Sequence, residues 1–182
     1  MDKYLPYGRQ FIDLEDINEV QKVLLSDWLT TGPKVEEFEQ EICKTTGSKY
    51  AIAVSSGTAA LHSSIYALNI ADGDEVIVPT MTFAATANCI VYQGGTPVFV
   101  DINKDNLLID PNLVEKNINQ RTKAIIAVDY AGHPADYKSL QNIAKKNNIS
   151  LISDSCHSIG GKYKDQNIGS IADLSTFSFH PV

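Results

Sequence analysis

The chain has no block of basic residues. Its 15 Lys and Arg stand against 22 Asp and Glu, for a formal net charge of -7. A surface built to neutralise nucleic-acid phosphates needs the opposite balance, so no nucleic-acid partner is expected. No apolar run reaches the roughly 18 residues of a membrane-spanning helix, so no membrane partner is expected either. The first residues, Met1-Asp-Lys-Tyr-Leu-Pro-Tyr-Gly8, have neither a basic start nor an apolar stretch, which argues against a secretory signal. Cysteine is scarce. Cys43, Cys89 and Cys156 are odd in number, widely spaced and without a C-x-x-C pair, which argues against a disulfide framework and against a zinc site; free thiols suit a reducing cytoplasm. Repeats, low-complexity segments and linkers between independent modules are absent. No G-x-G-x-x-G follows the first strand-like run, and Ser56-Gly57-Thr58 is a poor substitute, which sets a dinucleotide-binding dehydrogenase aside.

What remains is an ordinary globular composition, 43% hydrophobic and 20% charged over 182 residues. That length suffices for one substantial core, or for one domain and part of another. From residue 49 onward, strand-like and helix-like periods alternate. Apolar runs at Tyr50–Val54, Glu75–Val78, Thr96–Ile102, Lys123–Asp129, Ile149–Ser153 and Leu174–Phe179 are mostly continuous, as expected of strands buried on both faces of a parallel sheet. Helical patterns lie between them at Thr58–Leu68, Ala84–Tyr92 and Asp136–Lys146. This is the grammar of an α/β domain with a mostly parallel sheet flanked by helices. Residues 1–45 differ, and read as a helical arm preceding a sheet domain over 46–182. Asp13–Ser26 puts Leu14, Ile17, Val20 and Leu24 on one face, and a second helix starts at Pro33 with Val35, Phe38 and Ile42 as its stripe. The arm could cover the sheet or a partner subunit.

Three strand ends carry polar groups. Ser55-Ser-Gly-Thr-Ala-Ala60 joins a strand to a helix through small and hydroxylated residues, and a helix start offers free N–H groups and a positive dipole end to a phosphate. The same residues also suit an N-cap turn with no ligand. Asp154 closes an apolar run, with His157 three residues on; at the carboxyl end of a sheet strand such a carboxylate could hold a protonated heteroaromatic nitrogen, and His157 a ring oxygen. A capping Asp and a structural His explain them equally well. Ser178 and His180 end the last run and could add a hydroxyl and a pocket wall, or be incidental. Phe83, after another strand, could stack on a flat ring, although a lone Phe is more often core. The shared position of these groups after successive strands carries more weight than any one of them.

In order along the chain, Leu29-Thr-Thr-Gly-Pro33, Ser56-Gly-Thr-Ala-Ala-Leu61, Pro79-Thr-Met-Thr-Phe-Ala-Ala-Thr86, Thr96-Pro-Val-Phe-Val-Asp101, Asp154-Ser-Cys-His157 and Ser178-Phe-His-Pro181 resemble the DegT/DnrJ/EryC1/StrS family of pyridoxal-phosphate-dependent nucleotide-sugar aminotransferases. Val128-Asp-Tyr-Ala-Gly132 and Ser153-Asp-Ser-Cys-His157 are most similar to its pseudaminic acid branch, which aminates C4 of a UDP-linked 4-keto-6-deoxy sugar with glutamate as donor. The resemblance implies fold type I, a cytoplasmic homodimer, and a small C-terminal domain beyond these residues. It further implies that Gly57, Thr58 and Ala59 with Ser178 hold the cofactor phosphate, that Phe83 stacks on the ring, that Asp154 pairs with its nitrogen, and that His157 contacts its ring oxygen. Thr30 and His180 would lie near the sugar nucleotide. The lysine that carries the cofactor in the family falls five residues after Ser178, at position 183. The 182 residues alone are therefore expected to be inactive. Relatives with His in place of that lysine act as sugar dehydratases, which is one alternative; a non-catalytic fragment or regulatory subunit is another.

Overall fold

The computed structural model describes residues 10–180; Pro181 and Val182, which end the Ser178 motif, and the first nine residues of the expected arm lie outside that range. The chain runs α1 (Leu14–Leu24), α2 (Pro33–Thr46), α3 (Gly57–Ala67), β1 (Glu75–Pro79), α4 (Ala84–Tyr92), β2 (Thr96–Val100), α5 (Pro111–Asn117), β3 (Thr122–Val128), α6 (Tyr137–Asn147), β4 (Ser150–Asp154), the short hairpin strands β5 (Lys162–Tyr163) and β6 (Gln166–Asn167), and β7 (Leu174–Thr176). Five strands form one sheet in the order β2-β1-β3-β4-β7, and every pairing in it is parallel.

Side chains alternate across this sheet as strand geometry requires. Val76, Val78, Ala124, Ile126 and Ile152 face α3 and α4, where they meet Leu61, Ile65, Cys89 and Ile90. Ile77, Ile125, Ala127 and Leu151 face the other layer, packed on Val114, Tyr137, Leu140 and Ile143. Both faces of β1 and β3 are thus covered, which explains why their runs are continuous and not alternating. Each fully buried Ile or Leu contributes roughly 1.5–3 kcal/mol.

Polar caps time the helices. Asp13 caps α1, with its carboxylate accepting the Glu15 and Asp16 amides and Asp16 bonding back to Asp13. Ser56 caps α3 and Asp136 caps α6. No residue of α1 is buried: Leu14, Ile17, Val20 and Leu24 keep 52–75% of their surface exposed. The end of α2 is tied to the sheet domain instead, through Thr46, 1% exposed, and the Asn167 side-chain amide on the Thr45 carbonyl at 3.2 Å.

Two expectations change. Tyr50–Val54 forms no strand: Tyr50 and Ile52 are 75% and 82% exposed, and its Ala53 amide is held by the Glu39 carboxylate at 2.8 Å and not by a ladder. A strand exists only through a neighbour that accepts its hydrogen bonds, and this segment has none among the described residues. The final run pairs only over Leu174–Thr176, because the ladder with β4 ends where the Ser155 amide donates to the Thr176 carbonyl (2.9 Å). Ser178 and His180 therefore lie past the strand. The seven-residue α5 and the β5–β6 hairpin were not expected.

Candidate active site

Asp154 ends β4 at the carboxyl edge of the sheet, in a strand buried at four of its five positions. Only 6% of Asp154 is exposed. Its Oδ2 accepts the Thr86 hydroxyl at 2.7 Å, and its Oδ1 takes only a long contact, 3.4 Å, from the Cys156 amide. Thr86 is itself fully buried in the first turn of α4 and shares a 2.7 Å hydroxyl contact with Thr82. None of the ion pairs among the described residues includes Asp154. A carboxyl this deeply placed, with one strong donor and no cation, is an unfinished interaction.

The start of α3 closes on the same spot. A Cβ added to Gly57 would stand 3.1 Å from both the Cys156 sulfur and the Ser178 Cβ, and 3.4 Å from the Ser178 hydroxyl. Only glycine fits that approach without displacing them. The Ser56 hydroxyl accepts the Ala59 amide at 3.1 Å, so the cap engages one of the amides expected to face a phosphate. The amides of Gly57 and Thr58, first in the helix, have no acceptor within it. The Cys156 thiol lies between the two halves. Burial, then the neighbouring Asp154 charge, push its pKa up, so it serves as a neutral wall and not as a thiolate. Cys89, buried in α4, is pushed up to about 12 by the same two causes in the same order.

The structure thus brings Gly57, Ser178, Cys156 and Asp154 together, with Thr58 and Ala59 next along α3. Phe83 is the N-cap residue of α4, one turn before Thr86, and is 77% exposed. His157 is exposed at a turn just after β4. His180 is exposed as well, its amide donating to the Ser178 hydroxyl at 3.2 Å. Phe179 between them packs edge-on against Phe38 of α2, with centroids 5.1 Å apart. Thr30 lies exposed in the bend between α1 and α2, and no hydrogen bond of its side chain joins it to the Asp154 cluster. Sequence reasoning gave no role to Thr86. The signal it held was Thr82 and Thr86 at helical spacing beside a strand end, which puts two hydroxyls on one face.

An α/β sheet with its ligand-seeking groups gathered past the carboxyl ends of parallel strands defines the class: this is the large-domain fold of the pyridoxal-phosphate-dependent aminotransferases. The profile of the DegT/DnrJ/EryC1/StrS aminotransferase family matches residues 10–182, and the chain belongs to that family. It is similar to Spr1654 from Streptococcus pneumoniae, described as a sugar aminotransferase and solved in its PLP form: TM-score 0.95 and 39% identity, covering 98% of this chain and 49% of that one. It is likewise similar to PseC from Helicobacter pylori, an aminotransferase of pseudaminic acid biosynthesis, with TM-score 0.92 and 40% identity over 99% of this chain and 49% of that one. An aminotransferase from Psychrobacter cryohalolentis matches at TM-score 0.91 and 36% identity, over 97% and 45% of the respective chains. The chain spans about half the length of these structures. The family is pyridoxal-phosphate-dependent. A phosphorylated, cationic ring fits the residues present, since it supplies the countercharge that Asp154 lacks and an acceptor for the free amides of α3.

Proposed function

We propose that these residues form the cofactor-binding part of a pyridoxal-phosphate-dependent aminotransferase, which moves an amino group from an amino acid, glutamate by family resemblance, to a nucleotide-linked 4-keto-6-deoxy sugar. The observation that carries this reading is the buried Asp154 carboxyl, with its single strong donor and no cation, beside the open helix start at Gly57. When bound, the cofactor supplies a carbonyl that exchanges for the amino group and a protonated ring that withdraws electrons from the reacting carbon. Asp154 keeps the ring nitrogen protonated, and the Thr86 hydroxyl fixes which carboxylate oxygen faces it. The Gly57 and Thr58 amides, with Ala59 beside them and the Ser178 hydroxyl, hold the phosphate. Phe83 would stack on the ring, and Cys156 would line the pocket beside it. His157 holds the ring oxygen, and Thr30 and His180 belong to the sugar-nucleotide side.

The same reading assigns residues 1–45 to an arm and 46–182 to the cofactor domain, and makes the intact protein a cytoplasmic homodimer acting in surface-glycan synthesis. The uncovered apolar face of α1 supports a partner there. No helix among the described residues is long and apolar enough to cross a membrane. Proton transfer at the reacting carbon belongs to the lysine expected at position 183.

The test is borohydride reduction of the gene product extended past Val182, in the presence of pyridoxal phosphate, followed by peptide mapping. Label on a lysine at position 183, with glutamate-dependent amination of a UDP-4-keto sugar, is the expected result. Cofactor binding with no lysine label overturns transamination.

A further inference from the structure

Asp129 directly follows β3 beside Asp154, its amide donating to the Asp154 carbonyl at 3.0 Å. It is 1% exposed, and the groups bonded to its carboxylate are all donors. Oδ1 accepts the Ala135 amide at 2.9 Å and the Tyr137 phenol at 2.7 Å. Oδ2 accepts the Ser155 hydroxyl at 2.8 Å and the Ser158 hydroxyl at 2.6 Å. Burial, then the Asp129 charge, push the Tyr137 phenol up, so it stays a donor.

The division between the two oxygens is informative. Oδ1 holds the start of α6, whereas Oδ2 holds both ends of a single turn. The Ser158 amide donates to the Ser155 carbonyl at 3.0 Å, which makes Ser155–Ser158 a four-residue turn with Cys156 and His157 at its corners. A second turn braces it from outside. Gly132, at φ +82°, faces the His157 carbonyl so closely that a Cβ would stand 3.0 Å from it.

We propose that Asp129 is a positioning residue for the cofactor site: by gripping both ends of the Ser155–Ser158 turn, its Oδ2 fixes Cys156 and His157 relative to Asp154. This rests on the cofactor reading of the Asp154 cleft. Asp129 touches no ligand itself. It acts through the two serines and adds a side-chain grip to backbone restraints at the turn's ends, which are the Ser158 amide on the Ser155 carbonyl (3.0 Å), the Ser155 amide on the Thr176 carbonyl (2.9 Å) and the Gly161 amide on the Ser158 carbonyl (2.9 Å). A loosened turn would let the thiol wall and the imidazole drift, and a site needs its groups held within about 0.5 Å of the productive geometry.

The experiment compares the wild-type chain with a Ser155→Ala/Ser158→Ala double variant, with Tyr137→Phe and with Asp129→Asn. Three readouts are taken: hydrogen exchange of the Ser158 amide, the urea midpoint, and the dissociation constant of pyridoxal phosphate followed by absorbance. Losing both arms of the grip should speed exchange of that amide about 10-fold or more and weaken cofactor binding by about 10-fold, the scale of lost charge-assisted hydrogen bonds. Tyr137→Phe cuts the α6 side and the phenol's 2.6 Å contact with the Ser153 hydroxyl but leaves both serine hydroxyls on Oδ2, and should lower the urea midpoint while exchange in the turn and cofactor affinity stay within about two-fold of wild type. Asp129→Asn keeps the shape, can point two N–H groups at the two serine oxygens, and should retain most of the turn's protection. If the double variant exchanges and binds like wild type, or if Tyr137→Phe reproduces both of its effects, the positioning role is overturned and the network is merely structural. If wild type binds no pyridoxal phosphate, the cofactor reading fails, and the exchange data still decide whether Asp129 holds the turn.

Discussion

Replacing Asp154 by Asn should separate folding from cofactor binding. In the free chain the Asp154 carboxyl is 6% exposed, with one 2.7 Å donor from Thr86, and belongs to none of the ion pairs among the described residues. Asn keeps an oxygen for the Thr86 hydroxyl and removes a poorly compensated buried charge, so the melting temperature without ligand should hold or rise by up to about 4 °C, the equivalent of roughly 1 kcal/mol for a chain of this size. With pyridoxal phosphate at 100 times its dissociation constant, wild type gains about 2.7 kcal/mol, or roughly 5–11 °C. Losing a charge-assisted bond to the ring nitrogen costs about 1.5–3 kcal/mol, or 10- to 150-fold in affinity. At the same ligand concentration, a variant weakened 100-fold gains only about 0.4 kcal/mol, a shift of roughly 1–2 °C. Differential scanning fluorimetry with and without ligand reads both quantities on the same samples. The reasoning is refuted if the variant keeps most of the ligand-induced shift, or if it melts well below wild type when free.

Gly57→Ala places a methyl 3.1 Å from the Cys156 sulfur and the Ser178 Cβ; affinity for pyridoxal phosphate should fall about 10-fold through overpacking of the cleft, with far-UV circular dichroism unchanged, and equal affinity would remove Gly57 from the site. Stability should be flat up to pH 9 and then fall as pH rises towards 12, because the folded chain holds the Cys89 proton up to about 12 while the unfolded chain releases it near pH 9. Urea unfolding at pH 7 to 11 should show that decline, at most about 1.4 kcal/mol per pH unit for this group, with a shallower slope in Cys89→Ala. On α1, Ile17 is 52% exposed in an unburied apolar row. Ile17→Lys should leave the urea midpoint within about 0.5 kcal/mol and weaken any self-association seen by sedimentation; unchanged association would clear this face of a role in it.

Much of the fold was legible because local rules and burial agree. The continuous runs of β1, β3 and β4 are buried on both faces, and the caps at Asp13, Ser56 and Asp136 start their helices close to where the sequence puts them. Tyr50–Val54 misled for a physical reason: an apolar run states a preference for burial, but a strand also needs a partner edge, and that partner is not encoded in the run itself. The site was legible in part. Gly57, Asp154 and Ser178 announce themselves by following apolar runs, whereas Thr86 and Asp129 matter through contacts 68 and 26 to 29 residues away in sequence, and no local period reports such pairings.

The two buried carboxyls are best understood as a pair. Asp154 ends β4 and Asp129 directly follows the neighbouring β3, the two joined by one backbone hydrogen bond of 3.0 Å, and both sit within the protein with under a tenth of their surface exposed. Asp129 is saturated, with four donors between 2.6 and 2.9 Å. Asp154 has one comparable donor. Its other oxygen takes only the long 3.4 Å contact from the Cys156 amide, whereas a sequence selected for stability alone would supply the second carboxyl with the same care as the first. Here the hydroxyls of Ser155 and Ser158, two of the nearest candidates in sequence, are committed to Asp129 instead. That allocation rigidifies the turn next to Asp154 while leaving Asp154 open. It is the pattern expected where an outside cation completes the network, and it ties the stability of one carboxyl to the binding function of the other.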